Sequence, residues 1–93
     1  MSDVPLPHPQ VLFTEIDDGT GVLLHLDTKF YYTLNATGVA VWKALRDRSG
    51  ASVPAIAERL AAEFRVGLEQ AQADVDALLR ELRADGLVLD APP

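Results

Sequence analysis

Tyr31-Tyr32-Thr33-Leu34-Asn35-Ala36-Thr37-Gly38-Val39-Ala40-Val41-Trp42 is the stretch whose reading decides the fold. Its first residues have the aromatic and β-branched character of a strand. Asn35 then reads as a helix N-cap, its side-chain oxygen able to accept an amide of the first turn. Beyond it, Gly38, Val41, Trp42 and Leu45 recur at i, i+3, i+4 and i+7, the spacing of one apolar helix face. An aromatic strand therefore runs directly into a capped helix. Gly38 costs about 1 kcal/mol of helix propensity relative to alanine. A close backbone crossing by the third strand or a neighbouring helix would explain that cost.

Upstream, Val11–Ile16 and Val22–Leu26 read as strands, and Phe30–Leu34 as a third. Asp17-Asp18-Gly19-Thr20-Gly21 is a turn whose glycines suit positive φ, and Asp27-Thr28-Lys29 makes a tight reversal. Three strands joined by short turns form an antiparallel meander. On the second strand Val22, Leu24 and Leu26 share one face, and Leu23 and His25 the other. If Tyr32 and Leu34 point inward on the third strand, Phe30 does too and Tyr31 points outward. A meander of this size leaves at least two strand edges with unpaired backbone groups.

Downstream, Arg46 and Arg48 suit the C-terminal end of helix one, and Ser49-Gly50 ends it. Ser52 caps a second helix, with Pro54 tolerated in its first turn. Val53, Ile56, Leu60 and Phe64 form its apolar stripe. After the break Arg65-Val66-Gly67, a third helix is expected over Leu68–Ala84, with Ala71, Val75, Leu78 and Leu82 inward and Leu79 at the edge of the stripe. Asp85-Gly86 stops it, and Leu87-Val88-Leu89 can pack back on the core. The order predicts an α+β fold, a three-stranded antiparallel β-meander followed by three helices, winged helix-turn-helix-like. Residues 1–10 carry three prolines and read as a flexible arm, 11–90 as the folded domain, and 91–93 as a frayed end.

Ninety-three residues support one core. The chain has no cysteine, which excludes disulfides, thiol nucleophiles and thiolate metal sites. The start lacks a basic segment followed by a continuous apolar run, so no signal peptide is expected. Nor does any apolar run reach the roughly 20 residues that span a bilayer, so the cytoplasm is the expected location. A net charge of −6, with eight scattered basic residues, argues against nucleic acid or an anionic membrane as partner.

Catalytic patterns are missing as well. Gly19-Thr20-Gly21 lacks the third glycine and following helix of a dinucleotide fingerprint. Asp17 and Asp18 read as solvated turn residues, and His8 and His25 alone do not make a metal site. Ser2, Ser49 and Ser52 lie in a tail, a helix break and a cap, without a nucleophile-elbow context. The expectation is a binding protein, not an enzyme, with no metal or cofactor.

The run from Leu26 to Trp42 resembles the signature of the PqqD-like family: an acidic turn, an aromatic pair, Leu34-Asn35, Gly38, and the Val41-Trp42 pair. Ser52-Val53-Pro54-Ala55-Ile56-Ala57 opening the second helix, Asp74-Val75 in the third, and Gly86-Leu87-Val88 agree with it, so the resemblance covers roughly residues 11–90. It implies a RiPP recognition element: a non-catalytic peptide chaperone. Such a domain binds the leader of a ribosomally made precursor peptide and presents it to a modifying enzyme, often a radical SAM enzyme, as in PQQ or related pathways. The leader is expected to add as a strand beside the third strand, in the groove between it and helix three. Carried onto this chain, the strand contribution would come from Phe30, Tyr31, Tyr32 and Thr33. The helix contribution would come from Gln72, Val75, Asp76, Leu79, Arg80 and Arg83, with Val75 and Leu79 flooring an apolar groove. Arg65, where relatives often have glycine, and Gly67, where Asp or Ser commonly caps, depart from the family pattern.

Two other readings stay open: a winged-helix DNA-binding regulator, and an interaction subunit that stabilises a larger enzyme. Against the first, helix three carries Glu69, Asp74, Asp76, Glu81 and Asp85 against Arg80 and Arg83, and phosphates repel such a helix. Edge strands and a small core also permit a homodimer.

Overall fold

A computed structural model of the chain describes residues 5–16, 18–47 and 52–89. Expectations for Ser2, Asp17, Arg48, Ser49-Gly50 and 91–93 fall outside them. The elements in chain order are β1 (Leu6–Pro7), β2 (Val11–Glu15), β3 (Gly21–His25), β4 (Tyr31–Leu34), α1 (Ala36–Asp47), α2 (Val53–Phe64), α3 (Leu68–Ala84) and β5 (Val88–Leu89). The antiparallel meander β2-β3-β4 followed by three helices is the α+β architecture that the sequence pattern predicts.

Each boundary has a local cause. The Asn35 side chain accepts from the Gly38 amide at 2.8 Å and its carbonyl from Val39, so the cap of α1 forms as expected. A Cβ on Gly38 would stand 3.0 Å from Leu34 Cδ2 and 3.2 Å from its Cβ. Closeness to the end of β4 is thus what glycine permits there. The Ser52 hydroxyl caps α2 through the Ala55 amide, with Pro54 in the first turn. Arg65 ends α2 in the left-handed region at φ 54, where a side chain is strained relative to glycine. Gly67 begins α3 with no side-chain hydrogen bond.

The turn between β2 and β3 divides its work differently from expectation. Gly19 adopts positive φ, but Gly21 does not. At Gly21 a Cβ would stand 2.6 Å from the Phe13 ring, so its role is to let that ring lie across the strand. In the other turn Lys29 takes the left-handed conformation, and Phe30 lies before β4 and is 38 % exposed, not turned inward.

The inner face of the sheet packs Leu23 and Leu34 against Val41, Trp42 and Leu45 of α1. Ile56, Ala57 and Leu60 of α2 and Ala71, Val75, Leu79 and Leu82 of α3 complete the core. On α3, Leu79 is buried and Leu78 only partly so, the reverse of the expected order.

One pairing lies outside the expected pattern. Leu6↔Leu89 and Pro7↔Val88 form a second, two-stranded antiparallel sheet, and the His8 amide donates to the Leu87 carbonyl at 3.1 Å. Pro5 is fully buried, and Leu87 and Val88 are buried beside it. The described part of the proline-rich segment is therefore packed against the end of the chain. Two-residue strands carry no alternation for sequence reading to detect.

Candidate functional site

The strand order β2-β3-β4 makes β4 an edge. Antiparallel bonding pairs alternate along a ladder, and the His25 amide bonds the Phe30 carbonyl at 2.9 Å. Counting on through Leu23↔Tyr32 and Gly21↔Leu34, the backbone groups of Tyr31 and Thr33 face away from β3. These two residues thus present a row of donors and acceptors on the outer margin of the sheet.

Beside that margin runs α3, and between them is a groove of about 520 Å³. Its strand side is lined by Tyr32, Thr33, Leu34 and Asn35, its end by Thr20, Thr37 and Gly38, and its helix side by Asp74, Ala77, Leu78 and Glu81. The volume falls within the roughly 300–1,000 Å³ common for ligand sites. Leu34 and Leu78 give the groove an apolar floor, while Asp74 and Glu81 place carboxylates on its helix wall. Gln70 Nε2 donates to Asp74 Oδ1 at 2.8 Å, which steadies that carboxylate.

Tyr32 bridges the two walls, its hydroxyl donating to Glu81 Oε2. Burial raises the Tyr32 pKa first, and the hydrogen bond to Glu81 and its negative charge raise it further, to about 12 from the ordinary 10.0. The phenol therefore remains a donor across the physiological range.

At the hairpin leading into β4, the buried His25 Nδ1 accepts from the amides of Asp27 at 3.2 Å and Thr28 at 3.4 Å. Nδ1 of His8 accepts from the Gln10 amide, and the two imidazole rings lie 4.5 Å apart. Both histidines shape the chain around the turn. Among the described residues no group of three or more His, Cys, Asp or Glu is placed to hold a metal. Asp18 accepts from the amide and hydroxyl of Thr20, bonds that lower its pKa and fix the turn.

The residues singled out from the sequence divide sharply. Tyr32 and Thr33 line the groove, and Tyr31 supplies backbone beside it with its side chain 67 % exposed on the outer face. Val75 and Leu79 do not floor the groove; they are 0 % and 2 % exposed inside the core. Gln72, Asp76, Arg80 and Arg83 are exposed on α3 and are not among the groove residues. The cause is helical: at about 100° per residue, 72, 76, 80 and 83 lie on one side of the buried stripe, and 74, 77, 78 and 81 on the other. The sequence reading named the flank that does not line this groove. Leu78, placed inward by period alone, was the available signal for the groove-facing one.

No helix among the described residues is long and apolar enough to cross a membrane. A family profile for PqqD, coenzyme PQQ synthesis protein D, matches residues 20–88. No curated protein sequence matches the chain. Among solved structures, TbiB1 in complex with the TbiA(beta) leader peptide is similar, at 28 % identity and TM-score 0.80, over 95 % of this chain and 99 % of that one. Lasso peptide synthetase B1 complexed with the leader peptide is similar at 29 % identity and TM-score 0.76, over 92 % of this chain and 98 % of that one.

Proposed function

As a member of the PqqD family, the chain is one for which we propose the binding of a precursor-peptide leader by strand addition to β4 and its delivery to a peptide-modifying enzyme. The observation that carries this reading is the unpaired outer margin of Tyr31 and Thr33 beside the α3 groove. An extended peptide laid there bonds those backbone groups in an antiparallel or parallel ladder. Its alternate side chains then point into the groove, onto Leu34 and Leu78 and toward Asp74 and Glu81. Both similar structures named above are of proteins holding leader peptides, which supports the same use here.

The magnitudes suit a transient carrier. Four strand hydrogen bonds at about 0.5–1.5 kcal/mol each give several kcal/mol. An apolar side chain seated on Leu34 and Leu78 adds about 1.5–3 kcal/mol. Ordering the free peptide costs about 2–5 kcal/mol, so these contributions reach at most about 7 kcal/mol, a complex no tighter than roughly ten micromolar. Such a complex releases its cargo after modification. The role asks for no chemistry from the chain itself.

Titrating a synthetic precursor leader peptide into ¹⁵N-labelled protein tests the reading. The amides of residues 31–35 and 74–81 should shift together. Shifts restricted to α2 or to the Gln72–Arg83 flank, with β4 silent, would overturn it.

A further inference from the structure

The groove beside β4 carries a charge that its own walls do not neutralise. Among the described residues that line it, Asp74 and Glu81 are the charged ones, and both are acidic. Each carboxylate is held by a neutral group: Asp74 accepts from the Gln70 side chain, and Glu81 from the Tyr32 phenol. Glu15, by contrast, pairs with Lys43 at 2.7 Å. The phenol registers the field in the groove. Burial raises the Tyr32 pKa first, then the Glu81 bond, and then the negative charges of Glu81 and Asp85. A cleft of one sign with partly apolar walls concentrates the opposite charge.

Position along the groove follows from the strand. A guest residue directly opposite Tyr32 shares its face of the sheet, and so does the one opposite Leu34, two positions on. The Tyr32 bond puts Glu81 beside the first of these places. Leu34 and Leu78 give the second an apolar floor. Asp74 lies seven residues before Glu81, about 10.5 Å back along α3. That is toward the end of the groove formed by Asn35, Thr37 and Gly38. A third guest residue, two positions further, reaches this end at about 14 Å from the first. The difference of roughly 3 Å is within the reach of a lysine or arginine stem.

We propose, resting on the leader-binding reading above, that the groove selects leaders of the pattern basic–x–apolar–x–basic. The two Lys or Arg side chains answer Glu81 and Asp74, and the apolar one between them sits on Leu34 and Leu78. The pattern reads the same in either chain direction, so it holds for a parallel or an antiparallel guest. A segment with acidic residues at those places meets two carboxylates in a chain of net charge −6 and is rejected. Both carboxylates are exposed, so each ion pair changes affinity only about 1.5- to 5-fold. Charge here sorts peptides more than it tightens their binding.

Labelled synthetic peptides of sequence Thr-X-Thr-Leu-Thr-X-Thr, with X lysine, glutamine or glutamate, test the pattern by anisotropy. A synthetic precursor leader serves as the reference ligand. The lysine peptide should bind about threefold tighter than the glutamine peptide and at least about tenfold tighter than the glutamate one. Raising the salt to about 1 M, where charges are screened within about 3 Å, should bring the three together. Asp74→Asn and Glu81→Gln should each cut the lysine-to-glutamate ratio about threefold. Asp76→Asn, on the flank outside the groove, should leave that ratio within about 1.5-fold. Equal affinity for all three peptides would overturn the charge assignment and leave strand addition standing. An Asp76→Asn effect as large as that of Asp74→Asn would also overturn it, since the preference would then belong to the whole chain's charge. Binding of the leader but of none of the three peptides would overturn the spacing. Failure of the wild-type protein to bind the leader would remove the underlying reading, and this one with it.

Discussion

The two flanks of α3 differ by one step around a helix and by everything in their surroundings. Asp74, Ala77, Leu78 and Glu81 face β4 across a groove, whereas Gln72, Asp76, Arg80 and Arg83 lie on the far side of the buried stripe. The first flank pairs two carboxylates with two apolar residues, and the second is polar with two arginines. Only the first stands opposite the outer margin of β4 and lines the groove. Which helix face borders a groove is decided by the strand that crosses it.

The contrast can be broken most forcefully at its boundary. Leu79→Ala removes a buried core side chain and should cost about 2–5 kcal/mol in urea unfolding. Leader affinity of the folded protein should stay within threefold. A large affinity loss without a stability loss would move Leu79 from the core into the site.

Thr33→Pro deletes an amide that points away from β3, so the sheet keeps its own bonds while the margin loses a donor. Calorimetric titration should show leader affinity weakened at least tenfold, about 1.4 kcal/mol. Unchanged affinity would end the strand-addition mechanism.

Leu78→Ala trims the groove floor and should weaken the leader by about 1 kcal/mol, roughly fivefold. On the opposite flank, Asp76→Asn and Arg80→Ala should change affinity by less than twofold in the same assay. Equal losses on both flanks would erase the comparison.

The Tyr32 phenol offers a smaller, pH-dependent readout. Its folded pKa lies above the unfolded value of 10.0, near 12. Its contribution to stability is therefore complete below pH 10 and is lost as the pH rises toward 12. In Tyr31→Phe protein, where Tyr32 is the sole tyrosine, absorbance at the phenolate band should titrate with a midpoint near 12. Adding Glu81→Gln should lower that midpoint, since the hydrogen bond and charge of Glu81 both raise it.

Much of this arrangement was legible before any coordinates. Asn35, Ser52 and Gly38 gave the helix starts because caps and tight approaches leave residue-specific marks. The span of α3 and the presence of β4 as the last strand of the meander followed from period and turn signals. The groove-lining flank of α3 did not, because period places a stripe on a helix but not the side from which a distant strand approaches. Leu78 and Leu79 are chemically identical, and only the packing of α2 against α3 ranks them. The β1–β5 pair escaped for a different reason. Prolines at 5, 7 and 9 suggest an unstructured arm, yet Pro7 sits in an edge strand where a missing amide does no harm.

That small pair carries a consequence for how the domain can be deployed. Because Leu6 and Leu89 stand side by side, chain entering and chain leaving pass through a common gateway, and no residue of that gateway lines the groove. A fold closed in this way behaves as a cassette. Close termini of this kind are what let a domain be spliced into a loop of a larger polypeptide, or carried at either end of one, with its β4 margin undisturbed.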